Sequence, residues 1–199
     1  MIVDNYTILH FIHINSKTIE ERELRHYLYV LDGVENRIKE LRKFPSLTFD
    51  LNYIEQTEID QLAQQIETTM QSDLKAKDQL LKKIRNNPLC NVDMENIIQR
   101  RNWKYKKLNN TIKGNRFSWL ELYQQAGIKN SVSQFISGYM SEFVHGLCMS
   151  NIAYNTPPFE KGQILNINTV FINKTTDIIK KLFQNDLAKN DIDIRKSDI

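Results

Sequence analysis

Cysteine is scarce in this chain of 199 residues, which carries only Cys90 and Cys148. Neither a disulfide framework nor a zinc-ligand spacing can be built from that pair, which points to a reducing compartment. Proline and glycine are also thin, at four and six copies. Few turns are therefore encoded, and the segments between them must be long. No run approaches the ~18 apolar residues that a membrane span needs. The N-terminus lacks a positively charged start, and residues 8–14 are interrupted by His10 and His13, so no secretory signal is expected there either. No Gly-rich phosphate cradle and no Gly-x-Ser-x-Gly elbow occurs, which argues against nucleotide-dependent and elbow-type nucleophilic chemistry. A net charge of +3 is too small to demand a nucleic acid or an anionic membrane as partner. These absences lead to the expectation of a cytoplasmic protein with no membrane partner, no cofactor and no metal.

What the chain does hold is helical period. Thr18 with Glu21 forms a capping box, and behind it Leu24, Tyr27, Leu28, Leu31, Val34, Ile38 and Leu41 recur at three- and four-residue spacing. Residues 4–15 predict a short helix before it. Residues 46–53 predict a loop or an extended piece, and Ile59, Leu62, Ile66, Met70, Leu74, Leu81 and Ile84 a third helix over 55–86, stopped by Asn86, Asn87 and Pro88. Asp93 is placed to cap a short helix through Ile97 and Ile98. Ser118 caps another, over 119–126, with Gly127 at its C-terminal position. Pro157 and Pro158 predict a turn before a last helix over 163–188, and residues 189–199 read as a polar, disordered tail.

The most apolar helical pattern runs over 131–154. Ser131 and Gln134 make a capping box, and Val132, Phe135, Ile136, Tyr139, Met140, Phe143, Val144 and Leu147 fall on one stripe. Gly138 and Gly146 each cost roughly 1 kcal/mol against Ala within a helix, which suggests close approach by a neighbouring backbone. Ser141 and His145 are four apart and Glu142 and His145 three apart, so these side chains are neighbours on the helix surface. A carboxylate beside an imidazole favours the charged imidazole and can orient it as acid or base. An ordinary surface pair has the same spacing.

The run from Tyr139 through Ser141, Glu142 and His145 to Gly146 resembles a signature in an uncharacterised family of bacterial all-helical domains. There an aromatic, a Leu-Ser or Met-Ser pair and a Val-His end one core helix. Arg25-His26-Tyr27 and residues 119–127 are similar to the same family, and the likeness extends over residues 18–188. It implies a helical bundle and a role for His145, and it supplies no activity.

Three further constellations carry chemistry. Glu23-x-x-His26 and Glu142-x-x-His145 repeat the motif of ferritin-like di-iron bundles. That site also needs inward glutamates from further helices, and the phase of His26 away from the Leu24 stripe argues against it. Helical-bundle ribonucleases of the HEPN type resemble this chain in architecture. They place an Arg before the catalytic His with four to six residues between, whereas Met140, Tyr139 and Gly138 stand there before His145, which leaves Arg22 or Arg25 from another helix to substitute. Finally, residues 99–119 contain Arg100, Arg101, Lys104, Lys106, Lys107, Lys113 and Arg116 with no acid among them. Trp103, Tyr105, Phe117 and Trp119 are interleaved, a pattern that suits phosphate contact with base stacking. The same pattern also suits a solvated connection anchored by its aromatics.

The sequence thus predicts an all-α bundle of five to six mainly antiparallel helices in one domain over 1–188, around a central helix near 132–152. The function it favours is a binding or regulatory module. Tyr139, Ser141, Glu142, His145 and Arg25 are candidates for a polar pocket, and residues 99–119 for contact with RNA or another polyanion. The enzymatic alternative is an RNA-directed hydrolase, with His145 as acid–base and an Arg stabilising phosphate charge.

Overall fold

In the computed structural model, residues 2–46, 55–91, 94–108, 115–135, 138 and 158–184 are described. Among them the secondary structure is all α, with no strand. The elements are α1 (Ile2–His13), α2 (Ile19–Leu41), a 3-10 turn (Phe44–Ser46), α3 (Gln56–Arg85), α4 (Glu95–Gln99), α5 (Trp119–Gln125), α6 (Asn130–Phe135) and α7 (Pro158–Leu182). No helix among the described residues is long and apolar enough to cross a membrane. The chain divides into two compact units. A hairpin unit comprises Ser16–Phe117, and a terminal unit joins Met1–Asn15 to Ser118–Ile199.

The hairpin unit is built on α2. Thr18 Oγ1 accepts the Glu21 amide at 3.1 Å, and the Glu21 carboxylate accepts the Lys17 amide at 2.9 Å, so the first turn is closed by side chains. Leu24, Leu28, Leu31 and Ile38 are buried along one face. Each such burial stabilises by roughly 1.5–3 kcal/mol. α3 returns antiparallel to α2, as the paired side chains show. Asn87 Nδ2 donates to the Glu20 carbonyl at 3.0 Å, Lys83 Nζ lies 5.3 Å from the Tyr27 ring, Lys77 pairs with Glu35 at 3.1 Å, and Arg37 grips Asp73. Partners descend along α3 as they ascend along α2. Asp73 is a buried carboxylate, and the Arg37 fork, with Nε 2.6 Å from Oδ2, is what makes its burial tolerable.

After α4 the chain turns back over α2. The Asn102 amide donates to the Ile97 carbonyl and the Arg101 amide to the Ile98 carbonyl, both at 2.9 Å. This is a Schellman closure with Arg101 at the left-handed position, φ 50°, where glycine is usual. The Arg101 guanidinium compensates by reaching Asp32 at 3.2 Å and by pairing with Glu35.

In the terminal unit, Val3 and Tyr6 of α1, Tyr123 of α5, Ala126, Ile128, and Phe171 and Ile178 of α7 form the core. Ser118 and Glu121 cap α5 reciprocally at 3.2 and 2.7 Å. Its end closes through Gly127, φ 70°, with the Ile128 amide donating to the Tyr123 carbonyl at 2.9 Å. The Tyr123 hydroxyl donates to Asp4 Oδ1 at 2.7 Å, and burial followed by that carboxylate pushes its pKa well up.

Two boundaries depart from the sequence reading. α7 begins at Pro158 instead of near 163, because proline is favourable in the first helical turn, where its missing N–H has no intrahelical partner anyway. α6 begins at Asn130, so Ser131 lies within the helix and does not cap it. At Gly138 an added Cβ would meet nothing within 4 Å among the described residues. The rest of the expected central helix, the loop or extended piece expected over 46–53 beyond Ser46, Asp93, Cys148 and the tail over 189–199 lie outside the described residues.

Candidate functional site

Among the described residues, a concave feature with a ligand-binding character lies in the terminal unit. An open cavity of about 400 Å3 is bordered by Tyr6 of α1, the Ala126–Lys129 turn, Val132 of α6, and one face of α7. That face presents Asn166, Ile167, Val170, Phe171 and Lys174, residues brought together by helical spacing. The turn is held from below, because the Tyr6 hydroxyl donates to the Ala126 carbonyl at 3.3 Å and the Tyr6 ring packs on Phe171 with centroids 5.2 Å apart. Gly127 permits the left-handed step that brings Ile128 and Lys129 round to the cavity.

The lining is apolar except at its edge. Lys129, Lys174 and Asn166 supply the cations and the free amide, and among the described residues no carboxylate belongs to the lining. Lys174 Nζ sits 5.9 Å from the Tyr6 ring centroid. Its charge also reaches His10, whose imidazole is held below its ordinary pKa by burial first and by Lys174 in addition, against the opposing influence of Asn15.

None of the site residues singled out from sequence is among the described residues that line the cavity. Tyr139, Ser141, Glu142 and His145 lie outside the described residues, as does Lys113. Arg25, read as a group for a polar pocket or for phosphate, is instead consumed by its own unit. It is buried, its Nη2 and Nε donate to Glu21 Oε1 at 2.9 and 3.3 Å, and its Nη1 donates to the carbonyls of Trp103 and Tyr105, each at 3.1 Å. The guanidinium carbon stands 3.9 Å from the Tyr105 ring centroid. Tyr105, whose hydroxyl is buried without a hydrogen-bond partner, has its pKa pushed up to about 12 by that burial, against the pull of the Arg25 charge.

Part of the described basic stretch is likewise turned inward. Trp103 is buried edge-on against Tyr29, centroids 5.2 Å apart, so its face is not presented for base stacking. Lys104 is buried with its ammonium 5.4 Å from the Trp103 ring, and burial lowers its pKa. Arg101 is committed to Asp32 and Glu35. Asn115 ties the stretch to itself, accepting the amides of Lys106 and Lys107 at 3.1 and 2.8 Å and donating to the Lys107 carbonyl at 2.7 Å. Arg100, Lys106, Lys107 and Arg116 remain at the surface, with Lys106 Nζ 5.3 Å from the Phe117 ring.

Among the described residues, no group of His, Cys, Asp and Glu is arranged to hold a metal ion, and His26 of the di-iron motif lies against Tyr27 with centroids 5.9 Å apart. Compared with protein-family models, curated proteins and solved structures, the chain matches none of them. The cavity was not visible in the sequence because its walls come from distant parts of the chain. Its one local signal is Gly127 at the end of a capped helix.

Proposed function

We propose that the chain is a binding module whose terminal unit accepts a small, largely apolar molecule in the cavity between α1, the α5–α6 turn and α7. The observation that carries this reading is the cavity itself, about 400 Å3 and lined by Tyr6, Ala126, Ile128, Val132, Ile167, Val170 and Phe171. That size lies within the range of small-molecule sites, and apolar walls with a few polar groups are their usual make-up. Tyr6, Ala126 and Phe171 are fixed by the core, so the walls are formed before any ligand arrives. A reducing, cytoplasmic setting belongs to the same proposal and rests on the two cysteines. The nuclease alternative loses support from Arg25, which is occupied by Glu21 and two carbonyls.

The test is titration with N-phenyl-1-naphthylamine, a neutral dye that fluoresces in apolar surroundings. Saturable binding is expected, together with a loss of at least about tenfold in affinity in Val170→Trp. Val170 is half exposed on the cavity wall, so the larger side chain enters the cavity without replacing a core residue. Unchanged affinity in a variant that keeps its helical circular dichroism would refute the reading.

A further inference from the structure

The edge of the cavity carries a charge pattern that its apolar floor does not explain. Lys129 and Lys174 both line it, from the α5–α6 turn and from α7, and Asn166 stands on α7 two turns before Lys174. Neither lysine pairs with a carboxylate among the described residues. The nearest acid of α1 to Tyr6, Asp4, already accepts the Tyr123 hydroxyl at 2.7 Å and is not part of the lining. The Asn166 amide makes no hydrogen bond among the described residues. Two cations and an uncommitted amide thus border one apolar volume. An anion entering there would meet two ammonium groups and an amide donor.

We infer that the ligand is an anionic amphiphile, with an apolar body in the cavity and one carboxylate-like group held at the edge by Lys129, Lys174 and Asn166. This rests on the binding reading above and specifies its chemistry. The apolar body replaces water along Ile128, Val132, Ile167, Val170 and Phe171, which provides the non-directional part of the affinity. The anion supplies orientation, because charge-assisted hydrogen bonds from ammonium groups are about twice as strong as neutral ones. A cationic amphiphile of the same length meets two like charges and is disfavoured.

The experiment competes dodecanoate, dodecanol and dodecylammonium, each below its aggregation concentration, against N-phenyl-1-naphthylamine on the full chain at neutral pH. Dodecanoate should displace the dye at roughly tenfold lower concentration than dodecanol, the effect of one net charge-assisted contact at a partly exposed site. Dodecylammonium should be the weakest of the three. Lys174→Gln and Lys129→Gln should each remove most of the preference for dodecanoate and leave dodecanol unchanged. Lys180→Gln, which changes the net charge equally on the same helix but outside the cavity, should do neither. Equal displacement by all three amphiphiles, or a preference that survives both lysine variants, overturns the assignment of charge while the cavity reading stands. No displacement by any of them, with no saturable dye binding, removes both.

Discussion

Replacing Arg25 by Met should unfold the hairpin unit more readily by about 3–4 kcal/mol. The magnitude follows from what the guanidinium satisfies. Its side chain is 7% exposed, and it donates to the Trp103 and Tyr105 carbonyls while also pairing with Glu21. Each buried carbonyl left without a donor costs roughly 1–3 kcal/mol. The Glu21 carboxylate, at 19% exposed, recovers some hydration and so adds less than a fully buried charge would. Methionine fills much of the same volume, which keeps the cavity contribution small. Arg25→Lys should cost less, about 2 kcal/mol, because an ammonium keeps the charge but cannot fork between two carbonyls and a carboxylate or lie flat on Tyr105. Trp103 reports the transition in urea, being buried beside Arg25, once Trp119 is changed to Phe to remove the other indole. A midpoint for Arg25→Met equivalent to less than about 0.5 kcal/mol of destabilisation, at unchanged denaturant slope, would refute the argument. It would mean that the segment around 103–105 is held by its own packing and that Arg25 is spare.

Three other perturbations test the same physical accounting. Arg101→Gly should be more stable than Arg101→Ala by about 1 kcal/mol in thermal or urea unfolding, because both lose Asp32 and Glu35 but only glycine relieves the φ of 50°; equal stabilities would show that the left-handed residue is not strained. Arg37→Met should destabilise by about 1–3 kcal/mol by leaving the buried Asp73 carboxylate without its partner, less than for a fully buried pair because the Arg37 side chain is 58% exposed, and Arg37→Met with Asp73→Leu should regain most of it; a double variant no better than the single one would contradict this. His10 binds a proton less readily folded than unfolded, so its contribution is complete above its ordinary pKa of 6.5 and is lost as pH falls through and below that value. His10→Gln should therefore lose less stability than the parent between pH 6.5 and about 5, and parallel pH profiles would rule His10 out.

Local chemistry made several elements legible in the sequence. Thr18 caps α2 because a hydroxyl three residues before an amide finds it without help from the rest of the chain. The Leu24–Leu28–Leu31 face is buried because its period matches the helix whatever the partner. Ser118, Glu121 and Gly127 bound α5 for the same local reason. The all-α class follows from these signals together. Residues such as Arg25 were harder, since a charged residue beside an apolar stripe looks the same whether it meets water or a carbonyl. Arg25 meets the Tyr105 carbonyl, 80 residues away in sequence.

The same difference divides the basic stretch, where Arg101 and Lys104 are turned inward while Arg100, Lys106, Lys107 and Arg116 are exposed. Charge and aromatic content in 99–119 describe what the side chains carry, whereas function depends on which of them the fold leaves uncommitted. Arg101 neutralises Asp32 and Glu35 on α2, Trp103 fills space beside Tyr29, and Asn115 binds the strap to itself. Those acids belong to a helix that is read separately in the sequence, so the stretch seemed to have no counter-charge. The lysines of the terminal unit teach the converse. Lys129 and Lys174 belong to no basic run, yet the turn at Gly127 and the period of α7 bring them to one apolar cavity with no acid in its lining among the described residues. A pair of cations separated along the chain can thus border a ligand-sized cavity that no basic run in the sequence marks.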